Sequence, residues 1–320
     1  IMAITDMVLD RVFTVGGGLG ITLTGTKEFP GNRYTIQDCL FNGNIGEGLL
    51  ASGFGGGRIY RNTFAGSQNV GINLAGTTDQ YMAETEVIGN YMTGAEAYIQ
   101  INRTGVFSDA LHKGFTICAN RISNGDILLI GINNIECSSN FVYNGGILLK
   151  TDFTSPFAMR LLNNQITGGL FAASFSGNKH GIYVLGAGSS MEGLEIAGGR
   201  IRSASHHGIK IQMETGTCRY GSIHDVLINN PNRAANHFSG IFLGDGAAKS
   251  TMYMNVHHNQ IITDTATVPD YGIKEEGATS SKVNFVNNNI IRGYAIEDVT
   301  LLAPGSTESA NFDCGAPVAP

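Results

Sequence analysis

Two short motifs alternate along almost the whole chain, and this alternation restricts the fold more than any other property of the sequence. The first reads apolar-x-x-Asn-x-apolar and recurs at 59–64 (IYRNTF), 87–92, 117–122, 137–142, 161–166, 256–261 and 285–290. It aligns Asn62, Asn90, Asn120, Asn140, Asn164, Asn259 and Asn288 in one column, and weaker copies put Asp10, Cys39, Gly199 and Val226 in the same place. The second reads Gly-apolar-x-apolar and starts at Gly20, Gly48, Gly71, Gly146, Gly181, Gly208, Gly240 and Gly272, with variants at Tyr98, Asp126 and Ala295.

A unit of roughly 20 to 35 residues is too short to bury its own apolar side, but it holds three short strands and three turns. Stacked units close a shared interior, so about eleven rungs at the inter-strand spacing give a rod of about 50 Å. Asn in the same turn of every rung predicts a ladder of side-chain amides bonded along the axis and to turn backbone. Asn also tolerates the left-handed backbone of a sharp turn. The rungs fill 1–300; the segment 301–320 loses both motifs and reads as a separate tail, be it an extended wrap, a linker or a partner-binding arm.

Composition agrees with strands and tight turns: 44 glycines, no tryptophan and 14% charged residues in 320. No helical periodicity exceeds about two turns, and no run approaches the roughly 18 apolar residues that span a bilayer. The repeat is under way by Met7, so a fragment of a longer polypeptide is expected. With a net charge of −6 and Lys and Arg scattered singly, the sequence shows no basic stripe, and nucleic acid is not expected as a partner. Five cysteines lack metal-ligand spacing, so neither a metal nor another cofactor is expected. Free thiols are expected, with Cys137 pointing inward and Cys118 outward.

Uneven rung length excludes the rigidly periodic left-handed hexapeptide helix. On these motifs, residues 7–300 resemble the pectin-lyase-like superfamily of right-handed single-stranded parallel β-helices, which includes lyases, hydrolases, epimerases, phage tailspikes and non-enzymes. The resemblance implies that chemistry lies on or beside the sheet built from the Gly-led strands. The segment 207–211 (HGIKI) is similar to part of the polygalacturonase pattern, but that family's Asn-Thr-Asp and Asp-Asp motifs are missing and its activity is not transferred.

Alternation names the outward side chains of the Gly-led strands: Asn73, Gln100, Asn102, Leu128, Leu148, Lys150, Tyr183, Lys210, Gln212, Phe242, Lys274 and Glu276. Before these strands stand His180, His206, His207, His237, Asp270 and Tyr271; after them come Glu214, Asp245, Glu275 and Glu276. Imidazoles on one side of a cleft and carboxylates on the other suit acid and base work on a sugar chain. Glu214, Asp245 and Glu276 are therefore the acid and base candidates, with His207 orienting, and Lys210, Gln212, Tyr183, His180, His237 and Lys274 holding substrate. The competing reading is that such residues at strand ends are solvated turn residues.

A second candidate region is the set of long turns 75–86, 102–113 and 150–158, with Asp79, Tyr81, Glu84, Arg103, Asp109, His112 and Asp152. The aliphatic outward residues Leu128, Ile130, Leu148 and Leu185 predict an exposed patch and, through it, a homotrimer of parallel rods. Together these readings favour a tailspike-like protein, on a virion tail or extracellular, that binds and hydrolyses a bacterial surface polysaccharide. A secreted polysaccharide lyase or epimerase using Lys210 or His207 as base, and a non-catalytic spike or adhesin, stay open.

Overall fold

The structure, a computed structural model, describes residues 5–25, 31–67, 70–76, 82–94, 98–103, 113–151, 157–168, 180–186, 190–214, 216–231, 238–244, 251–264, 268–276, 284–302 and 305–313. Among them there is no helix, and hence none long and apolar enough to cross a membrane. Every strand pairing is parallel, and the strands sort into three long sheets. Sheet 1 runs from Thr5–Asp10 to Thr307–Ser309, sheet 2 from Phe13–Val15 to Phe312–Asp313, and sheet 3, the Gly-led one, from Ile21–Thr24 to Glu297–Thr300. Each rung contributes one strand to each sheet in turn, which is a right-handed parallel β-helix.

Inward side chains stack in columns. Ile36, Ile59, Val87, Ile117, Cys137, Leu161 and Ile196 fill one side, and Phe41, Phe64, Met92, Ile122 and Val142 fill the next. The Phe41 and Phe64 rings stack with centroids 4.5 Å apart. Cys137 faces this core and Cys118 the outside of sheet 1; burial pushes the Cys137 thiol up.

The amide ladder runs unbroken from Asn62 through Asn90, Asn120 and Asn140 to Asn164. Each Oδ1 accepts the backbone N–H and the amide N–H of the preceding rung, while each Nδ2 donates back to a core-strand carbonyl. Gly199 and Val226 interrupt the ladder, and Asn259, Asn289 and Asn311 resume it. Three details depart from the sequence reading. The ladder member near the end is Asn289, because Val286 pairs with Val256 and leaves Asn288 exposed in the turn. In the first rung Val12, not Asp10, takes the ladder place: its N–H donates to Cys39 Sγ, whereas Asp10 pairs with Gln37 inside sheet 1. The left-handed backbone belongs not to the ladder Asn but to the residue before it, as at Arg61, Ala119, Ser139, Asn163 and Asn288.

The chain also keeps its architecture past 300. Thr307–Ser309 and Phe312–Asp313 pair onto sheets 1 and 2, and Asn311 extends the ladder.

The glycine that leads sheet 3 strands is required by close approach. A Cβ on Gly240 would lie 2.7 Å from the carbonyl of Gly272 and 2.5 Å from Ile261 Cγ2; one on Gly208 would meet Gly240 and Ile228 in the same way. At Gly208 and Gly240 the turn into sheet 3 leaves room only for a bare Cα, whereas Asp126 and Asp298 hold the same register place in other rungs.

Candidate functional site

The outer face of sheet 3 carries a column that register pairing defines directly: Gln100, Leu128, Leu148, Tyr183, Lys210, Phe242 and Lys274, one per rung. Its later half alternates aromatic ring and ammonium. Lys210 Nζ lies 5.1 Å from the Tyr183 ring centroid and 5.8 Å from that of Phe242, and Lys274 Nζ lies 4.7 Å from that of Tyr271. These are cation–π distances, contacts that only the ammonium makes.

Beside this column the turns before Gly181, Gly208 and Gly240 bring His180, His206, His207 and Phe238 together. His180 and His207 stack at 5.3 Å, His206 stacks on Phe238 at 4.0 Å, and His207 lies 4.6 Å from the Phe242 ring. The Ser239 backbone N–H donates to His207 Nδ1 at 2.9 Å. With Nδ1 accepting, the neutral ring carries its proton on Nε2, so His207 acts as a donor and cannot take a proton there. Burial, with the charges of Lys210 and His206, holds His207 down at about 3, and burial lowers His180 as well. Both imidazoles are therefore neutral near pH 7, which fits an orienting and packing role.

Tyr183 donates its hydroxyl to Gln212 Oε1 at 2.8 Å. Burial and the charge of Glu214 push this phenol up to about 12. Glu214 itself is exposed at the strand end, and Glu276 pairs with Lys274 at 2.9 Å. Strand alternation separates the two neighbouring carboxylates: Glu276 is on the outer side with Lys274, while Glu275 is fully buried inside the rod and accepts from Asn284 Nδ2 and Ser306 Oγ. Glu214 and Glu276 lie two rungs and two residues apart, roughly 12 Å between backbones. Asp245 and His237 lie outside the described residues.

The outer face and rim of sheet 3 thus bring together Tyr183, Lys210, Gln212, Lys274, His180, His207 and Glu276, with Glu214 at the edge. The sequence reading missed Phe238 and used Phe242 only as an outward side chain. Their signal was present: both precede or follow the Ser-Gly-Ile start of a Gly-led strand, where an aromatic must face outward or onto the rim.

Of the four residues expected to form an exposed aliphatic patch, Leu128 and Leu148 are buried, 1% and 8% exposed although outside the core cluster, while Ile130 and Leu185 are half-buried. Of the second candidate region, Asp79, Tyr81, Asp109, His112, Asp152 and the side chain of Arg103 lie outside the described residues. Glu84 lines an open cavity of about 590 Å³ on sheet 1 with Asp6, Arg33, Arg58 and Glu86. Two of its ion pairs are Arg33 with Asp6 at 2.8 Å and Arg58 with Glu86 at 3.4 Å. Among the described residues no three His, Cys, Asp or Glu side chains converge as a metal site.

No family model matches the chain, and no curated protein matches it. Two solved structures do. The A-module of Azotobacter vinelandii mannuronan C-5 epimerase AlgE4 matches at 13% identity over 94% of this chain and 85% of that one, with a TM-score of 0.42. The A-module of AlgE6 from the same organism matches at 13% identity over 97% and 82%, with a TM-score of 0.40. At these values neither bears on activity, and the fold rests on the strand pairing above.

Proposed function

We propose that the chain binds an extended acidic polysaccharide along the groove over sheet 3. The observation that carries this reading is the Tyr183–Lys210–Phe242–Lys274 column, with one ammonium every second rung and aromatic faces between. Aromatic faces pack against the C–H faces of sugar rings, and ammonium groups meet carboxylates. Because the column follows the rod axis, it suits a polymer rather than a compact ligand.

Calorimetric titration with polygalacturonate oligosaccharides, with dextran as a neutral control, tests it. Lys210→Ala and Lys274→Ala are each expected to weaken binding about tenfold or more, close to 1.4 kcal/mol, and to flatten its salt dependence. Full affinity in both variants, or equal binding of dextran, removes the groove from consideration.

Hydrolysis is the chemistry this reading favours. Glu276 sits in the groove, Glu214 stands at its edge close enough to act on Tyr183, and Asp245 follows the intervening strand in sequence. His207, which elimination or epimerisation would use as base, has its proton on Nε2. Glu214→Gln and Glu276→Gln are expected to lower release of reducing ends from a bacterial surface polysaccharide by at least about 10²-fold while binding persists. Products with the ultraviolet absorbance of an unsaturated uronide would assign elimination instead. A tailspike-like setting, on a virion tail or extracellular, is the context in which such a rod would meet this substrate.

A further inference from the structure

The outer face of sheet 2 holds a second, independent surface. Its two outward columns contain four arginines, Arg121, Arg200, Arg202 and Arg292, and no carboxylate among the described residues, on a chain of net charge −6. All four are exposed, and none forms an ion pair among the described residues; Arg200 Nε donates to Asn229 Oδ1 at 3.1 Å. On sheet 1, by comparison, Arg33, Arg58 and Arg160 are paired with carboxylates, and Arg219 stands opposite Glu192 in the strand register. Arginines far apart in sequence have been brought onto one face, with no ion-pair partner among the described residues.

Their spacing is regular. Arg121, the Arg200–Arg202 strand and Arg292 follow one another at every third strand of the sheet, which is roughly 14 Å per step. Aromatic rings surround the first of them. The guanidinium of Arg121 lies 5.7 Å from the Tyr91 ring and 5.6 Å from the Phe141 ring, and Tyr91, Phe141 and Tyr143 are 41%, 41% and 46% exposed.

We propose that this face is a second binding surface, for a linear polysaccharide with sparse acidic groups, one for every few sugars. Guanidinium forks bind carboxylate or phosphate in a bidentate manner, and the exposed rings offer flat faces for the sugars between charges. Charge density separates this partner from nucleic acid, whose strand carries a phosphate roughly every 3.4 Å and would leave most of its charges unmatched. A second copy of the chain is the alternative occupant, and solution mass separates it in the test below. The surface does not depend on the sheet 3 groove; with both in place, one polymer gains avidity by engaging two faces.

The test uses the whole chain and short fragments of deacylated gellan, a linear glycan with a single uronate per repeat, titrated across a salt series. A variant with R121Q, R200Q, R202Q and R292Q is expected to lose at least about tenfold in affinity, and its salt slope to shallow by about one per arginine removed. R200Q/R202Q alone should give about half that change in slope, and K210A/K274A should leave this arginine-dependent part intact. Unchanged affinity and slope in the quadruple variant overturn the proposal. Tighter binding of a single-stranded oligonucleotide than of gellan also overturns it. A fall in solution mass of the arginine variant, without loss of glycan binding, reassigns the face to self-association. Loss of polygalacturonate binding only in the lysine variants supports the groove and leaves this surface to be judged by the arginine variants alone.

Discussion

Asn120→Leu is expected to destabilise the protein by about 3–5 kcal/mol. Asn120 lies at the middle of the unbroken ladder and is 1% exposed. Its Oδ1 accepts from the backbone N–H and the Nδ2 of Asn90, both at 2.9 Å, and its Nδ2 donates to Val87 at 2.8 Å and to Asn140 Oδ1 at 3.0 Å. Leucine keeps the branched skeleton of heavy atoms but strands these partners in a dry turn, each at about 1–3 kcal/mol, with neighbouring bonds absorbing part of the loss. Asn311→Leu is the internal control: it is half-buried at the ladder's end, its bond to Val286 is 3.3 Å, and a cost near 1 kcal/mol or less is expected. Equilibrium urea unfolding of both variants checks the difference. Equal, small effects at the two positions would mean that core packing alone holds the rungs and the ladder is incidental.

The second large effect is loss of stability in acid, at the groove. His207 is held neutral down to about 3, against an ordinary imidazole value near 6.5, and His180 is lowered too. For a base whose folded value is depressed, the unfolded chain binds more protons between the two values. Stability is therefore complete above about pH 6.5 and falls as pH decreases toward 3, by up to about 1.4 kcal/mol per unit for each such histidine. The exposed carboxylates paired with Arg61 and Arg160, whose values are lowered, add their own loss only below the ordinary carboxylate range. Unfolding measured from pH 7 to pH 4 should show this slope. In His207→Asn, whose Oδ1 can still accept from Ser239, stability at pH 7 should be lower but the profile flatter. Parallel profiles for the two proteins would show that His207 is not the proton acceptor.

Legibility followed the chemistry of each feature. The stacking of rungs was readable because apolar alternation and the recurrent amide are local patterns, each repeated enough times to fix strand, turn and order. The facing of Tyr183, Lys210, Gln212, Lys274 and Glu276 followed from the same two-residue period. Where three asparagines stand in a row at 287–289, the motif fits at two positions, and the sequence reading took Asn288. Only pairing of Val286 with Val256 picks Asn289, since a one-residue slip would turn the inward valine outward.

What the sequence by itself determined is the solenoid and the direction of most side chains on it. Tertiary structure alone decided which of those side chains meet. Rungs differ in length, so residues equally spaced along the rod are unevenly spaced along the chain. For that reason the outward arginines of sheet 2 read as scattered, Phe238 escaped notice beside His206, and Leu128 and Leu148 looked exposed although they are buried. Burial and charge pairing are properties of neighbours in space, and in a solenoid those neighbours come from the rungs above and below.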